Sequence, residues 1–130
     1  MCGRFVLSNF TDVKDFHNVL IEPSYNIAPS HCTLILNQEM RPDFLEWGYS
    51  PIWAKKPMNL INAKYESLDI KPSFQDYETC VFVADGWFEW KKTPTGEKQP
   101  IFIHANQIIF YFAGIRNCLL YTSPSPRDRT

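Results

Sequence analysis

No apolar run in this chain approaches the ~20 residues that a membrane-spanning helix needs, and no basic-then-apolar leader of the secretory kind opens it. The four cysteines, Cys2, Cys32, Cys80 and Cys118, form no C-x-x-C pair, which removes zinc knuckles and thioredoxin-type motifs. No disulfide scaffold is called for, because hydrophobic residues make up 45% of the 130 and can build a core without one. An excess of charge of one sign is missing too, with 13 Lys and Arg against 14 Asp and Glu. That balance excludes a nucleic-acid binder driven by bulk electrostatics. It leaves room for one that grips a short single strand through a few local cations and stacking faces. The expectation is one soluble domain, or part of a larger one, in a reducing compartment, with no metal and no cofactor.

Aromatic rings are what the chain has in abundance: ten Phe, six Tyr and four Trp. Strands favour such residues, and rings at a surface suit flat ligands such as bases. Residues 5–8 read as a short strand. "TDVKDFHNVL" follows with Val13, Phe16, His17 and Leu20 at helical spacing and Thr11 or Asp12 as caps. "EPSYNIAPSH" reads as an ordered loop, "CTLILN" as a buried strand, "QEMRPD" as a turn and "FLEWGYSP" as another strand. "INAKYESLDIKPSF" begins extended and turns helical after Ala63. "CVFVADGWFEWKK" reads as two strands broken by a hairpin or bulge at Asp85-Gly86. "TPTGEKQP" is a polar hairpin loop, and "IFIHANQIIFYFAGI" supplies two more strands. The fold class is α+β, mainly antiparallel β with a few short helices. The β pattern stops after Ile115, and "TSPSPRDRT" cannot bury a core. Residues 116–130 therefore read as a disordered or artefactual tail.

The first five residues, "MCGRF", raise a chemical question. Removal of Met1 would leave Cys2 with a free α-amine and a thiol on one residue. Such an aminothiol condenses with an aldehyde through the amine and then closes a five-membered thiazolidine ring through sulfur. A cysteine at position 2 also occurs with no chemistry attached.

Four further stretches stand with it in order: "YNIAPS", "WGYSPIW", "INAKYES" and "VADGWFEWKK". Together, over residues 1–115, they resemble the SRAP family, the SOS response-associated peptidase-like proteins. The resemblance implies a barrel-like, mainly antiparallel sheet, incomplete here at its C-terminal end. It also implies that the exposed cysteine captures the ring-opened aldehyde of an abasic site in single-stranded DNA as a covalent crosslink, and that the leading segment is removed autocatalytically. Under this resemblance Cys2 supplies amine and thiol, Asn62 a neutral amide for the amine or a sugar hydroxyl, and Glu89 a carboxyl for proton transfer. Arg4 matches a phosphate contact. Lys64 stands where the family usually has arginine, keeping the charge but losing the bidentate grip. Asn26 and Pro29 match loop residues at the DNA junction. Trp47 and Trp53 lie near the DNA groove, each also suited to a core, and Glu66 matches a structural glutamate. No H-x-R-x-P segment follows the hairpin, so the family's catalytic histidine has no counterpart, and His104 is not one. A monomer acting on abasic single-stranded DNA, cytoplasmic and nucleoid-associated or nuclear according to its source, is the expectation. The other readings are an N-terminal-nucleophile hydrolase acting on peptides and a non-catalytic single-strand-binding domain.

Overall fold

The computed structural model describes residues 3–51, 53–56, 60–62, 66, 68 and 77–117. Among the described residues eight strands and one helix follow one another as β1 (Phe5–Leu7), α1 (Phe10–His17), β2 (Ser24–Ile27), β3 (Cys32–Leu36), β4 (Pro42–Glu46), β5 (Tyr77–Ala84), β6 (Gly86–Lys92), β7 (Lys98–Ile103) and β8 (Phe110–Asn117). They form two four-stranded sheets, in the orders β2-β1-β6-β7 and β4-β3-β5-β8, and every pairing is antiparallel. The α+β class expected from the sequence is what the chain adopts, and the two sheets do not close into a barrel.

Rings and aliphatic side chains from both sheets meet at Phe5. Its ring lies edge-on to Trp47 at 5.2 Å, to Phe112 at 6.0 Å and to Phe82 at 6.4 Å. Leu7, Ile27, Leu34, Leu36, Val83 and Val13 complete this core. Full burial of such a side chain stabilises by about 1.5–3 kcal/mol. "TLIL" is buried on both faces of β3, as its unbroken apolar run requires.

The helix starts earlier than expected. Asn9, not Thr11 or Asp12, is its cap: the Asn9 side chain accepts from the Asp12 N–H at 3.1 Å, and Asp12 occupies the first turn. Asn18 ends it in the left-handed conformation at φ 56°. Of the expected apolar stripe only Val13 is buried, so the helix is pinned by one side chain while Phe16 and Leu20 stay in solvent. "EPSYNIAPSH" is not wholly loop, because Ser24–Ile27 pair with β1. The helix expected after Ala63 falls mostly outside the described residues, and of the tail expected from residue 116 only Arg116 and Asn117 are described, both in β8 rather than disordered.

Asp85-Gly86 is a corner, not a hairpin. β5 and β6, the strands read as broken by a hairpin or bulge here, are not paired with each other and belong to different sheets. Asp85 is fully buried. Its carboxylate accepts the Ser8 N–H at 2.8 Å, the Asn9 N–H at 2.6 Å and the Ser8 hydroxyl at 3.2 Å. The Asp85 N–H in turn donates to the Val6 carbonyl at 2.8 Å. Gly86 follows because a Cβ there would stand 2.4 Å from the Phe102 ring. The polar loop behaves as read: Thr93 and Glu97 close it, with Gly96 at φ +90°.

Replacing Asp85 by alanine strands the buried Ser8 N–H and hydroxyl and the partly buried Asn9 N–H, a buried group left unmet costing about 1–3 kcal/mol. In urea unfolding, Asp85→Ala is expected to lose about 3 kcal/mol or more, and Asp85→Asn, which keeps one acceptor oxygen, clearly less. Equal losses from the two variants would show that the carboxylate oxygens do not hold this corner.

Candidate active site

The register of three strands brings three of the sequence motifs side by side. Phe5 pairs with Ile27 on one flank and with Trp87 on the other. The ladder continues past β1, where the Phe88 N–H donates to the Arg4 carbonyl at 3.0 Å. The segment leading into "GRF" is thereby laid between the end of "YNIAP" and the start of "WFEW". Cys2 itself lies outside the described residues, as does Lys64.

Alternation along β6 puts Trp87 and Glu89 on one face, as expected. The Trp87 indole N–H donates to the Glu89 carboxylate at 3.1 Å. That ring is itself fixed edge-on against Phe110 at 5.5 Å and Phe112 at 6.0 Å. Glu89 is therefore a half-buried carboxylate whose orientation is set by a packed indole.

Trp47 organises the other side. It is 7% exposed, a core residue against Phe5 rather than an open stacking face. Its backbone carbonyl accepts the Ser30 N–H at 2.8 Å, and its own N–H donates to the His31 carbonyl at 3.0 Å. Those bonds hold the turn that follows Pro29. The Trp47 indole N–H donates to the Ile61 carbonyl at 3.3 Å. Tyr49 and Leu60 exchange two backbone hydrogen bonds of 2.8 Å just before. Asn62 thus follows directly on the segment that Trp47 and Tyr49 hold.

A broad open cavity of about 1320 Å³ runs along the second sheet, with Phe5, Trp47, Leu60, Asn62, Phe112 and Arg116 among its lining residues. Glu89 and Arg4 do not line it. Asn26 and Trp53 are exposed, and Pro29 and Arg4 are half-buried. The structure thus joins the segments of Arg4, Asn26, Pro29 and Glu89 through β1, and that of Asn62 through Trp47. Sequence reasoning missed His31, whose ring accepts the Ala28 N–H at 3.1 Å, and the anchoring role of Asp85. An acidic residue inside an apolar "VADGW" run was the signal for the second, since such a carboxylate must find donors.

The internal thiols differ sharply. Cys80 is buried, and desolvation pushes its thiol up to about 11, with Arg116 opposing and Glu78 adding to the shift. Cys32 is exposed. Among the described residues no group of His, Cys, Asp and Glu could hold a metal ion, and no helix is long and apolar enough to cross a membrane.

The family model described as SOS response associated peptidase (SRAP) matches residues 1–127. The chain belongs to the SRAP family. It is 38% identical to the abasic site processing protein YoqW of Bacillus subtilis over 88% of its length, and 38% identical to YedK of Escherichia coli over 80%. It spans 59% of YoqW and 54% of YedK. A crystal structure of a phage-related protein from Bordetella bronchiseptica superposes with a TM-score of 0.62 at 29% identity, covering 86% of this chain and 59% of that one.

Peptide mapping after brief alkylation at pH 8 is expected to find Cys32 modified and Cys80 protected. Cys80 reactivity should rise only as the pH climbs toward 11, because a raised pKa keeps the thiol protonated below it. Equal labelling of both at pH 8 would show the β5 thiol to be open to solvent.

Proposed function

We propose that this chain processes abasic sites in single-stranded DNA through the aminothiol of Cys2. The observation that carries the reading is the register: β1 runs from the N-terminal motif directly between the "YNIAP" strand and the strand bearing Glu89. Membership of the SRAP family, and relatives named abasic site processing proteins, support it.

Once Met1 is removed, the Cys2 amine adds to the aldehyde carbon of the opened sugar, and loss of water gives an imine. The thiol sulfur then adds to that carbon while the thiol proton passes to nitrogen, closing the thiazolidine. One C–N and one C–S bond form, one water leaves, and no oxidant or cofactor enters. Glu89 protonates the departing hydroxyl, oriented by the Trp87 indole N–H. Asn62 offers a neutral amide to the sugar. Arg4 and Lys64 contact phosphate, Asn26 and Pro29 border the strand, and Trp53, 56% exposed, stacks on a base. Trp47 serves the same surface from beneath by holding the turn after Pro29 and the segment of Asn62.

The test uses protein shown by intact mass to begin at Cys2, mixed with single-stranded DNA carrying one abasic site and run on a denaturing gel. A shifted band is expected from the wild type and none from Cys2→Ala or from protein that retains Met1. Glu89→Gln should slow its appearance by about 10²-fold or more. Hydrolysis of peptides without any crosslink would replace this reading with the peptidase one. A band that persists in Cys2→Ala would remove the aminothiol from the mechanism.

A further inference from the structure

The face of the β6–β7 hairpin opposite Glu89 is unused by the chemistry above, yet it has an ordered composition. Phe88, Trp90 and Lys92 share it on β6, and their cross-strand partners Phe102, Pro100 and Lys98 share it on β7. The rings form a ladder. Phe88 and Phe102 lie 5.3 Å apart at 38°, and Phe102 stacks on His104 at 4.8 Å and 26°. Trp90 remains 49% exposed and Phe102 39%. Lys92 and Lys98 face each other across the ladder, both exposed, and no acidic residue stands on the strand positions of this face. Glu89 points to the other side, and Glu97 belongs to the turn. Packing against Gly86 accounts for part of the Phe102 ring, but the aromatic core lies on the Trp87 face and leaves Trp90 exposed.

We propose that this face is a second contact for single-stranded DNA, a stacking platform of Phe88, Trp90, Phe102 and His104 with Lys92 and Lys98 on the phosphates. Stacked and tilted rings edged by cations match the two demands of an unpaired strand, π-faces for bases and positive charge for the backbone. An ordinary edge strand needs lysine to deter pairing, but it does not need exposed tryptophan and phenylalanine beside it. The platform is continuous with the candidate site, because the Phe88 N–H bonds to the Arg4 carbonyl. From Phe88 to Lys92 it extends about 13 Å along β6. The inference rests on the DNA reading above and adds to it the path the strand takes beyond the lesion.

Undamaged DNA separates the two. Fluorescence anisotropy with a labelled, lesion-free single strand is measured across a salt series for wild type, Trp90→Ala, Trp90→Phe and the Lys92→Gln/Lys98→Gln pair. Loss of one stacked base weakens binding by about fivefold to a hundredfold in Trp90→Ala, while Trp90→Phe retains most of the affinity. The double lysine variant lowers the slope of log K against log salt by about 1.4. Wild-type affinity in Trp90→Ala, an unchanged salt slope in the lysine pair, or no binding of the undamaged strand by the wild type overturns the platform and leaves the face to a partner other than DNA. The same samples are scored for crosslinking at saturating abasic DNA. Crosslinking that survives while the platform variants bind like wild type removes the platform alone. Failure of wild-type crosslinking removes the proposed function, and the platform is then judged on the undamaged strand.

Discussion

A single carboxylate holds the two halves of this fold to each other. Asp85 has no solvent to satisfy it, so its lone pairs must be met from within, and the donors are the Ser8 and Asn9 N–H groups and the Ser8 hydroxyl. These bonds join the place where β5 turns into β6 to the place where β1 gives way to α1. The Asn9 N–H so occupied belongs to the residue that caps the helix. One interaction thereby sets the sheet-to-sheet corner, the start of α1 and the register of β1. A slip of one residue in that register would turn Phe5 out of the core and move every neighbouring side chain to the opposite face.

From this corner the two tryptophans act in complementary ways. Trp87 uses its ring to reach the core and its N–H to orient Glu89. Trp47 uses its ring to reach the same core and its polar groups to hold two connecting segments. Both indoles spend their apolar bodies on Phe5 or its neighbours and their polar edges on the site. A site built this way inherits the rigidity of the core, although most of its residues come from short strands and turns. The aldehyde capture proposed above would draw on that rigidity, because amine, thiol and proton donor would have to meet one carbon in sequence.

Much of this was legible in the residues, for reasons that can be stated one by one. The strands of "CTLIL", "CVFVA" and "IIFYFAGI" declared themselves through unbroken or alternating apolar pattern. The shared face of Trp87 and Glu89 followed from period two alone. What local pattern could not give was pairing at long range. "SYNI" reads as loop because Ser, Asn and the nearby prolines favour turns, yet β1 recruits it as an edge strand. Asp-Gly reads as a hairpin because the dipeptide suits the tight turn between antiparallel strands. Here the donors to the buried aspartate, 76 and 77 residues away in sequence, make a corner instead. Trp47 was open between groove and core, and only the position of Phe5 decides for the core.

The near balance of charge looked like an argument against a nucleic-acid role, and the distribution of residues answers it. Coulomb interactions at a surface fall off within about 8–10 Å at physiological salt, so a phosphate senses the charges beside it and not the sum over the chain. On the β6–β7 hairpin Lys92 and Lys98 stand opposite each other across the two strands. The one strand carboxylate nearby, Glu89, is turned to the opposite face and bonded to an indole. Alternation along a strand separates the signs that composition adds together. A protein of net charge −1 can therefore carry a carboxyl on one face of a strand and cations on the other, which is what the proposed sugar and phosphate contacts would use.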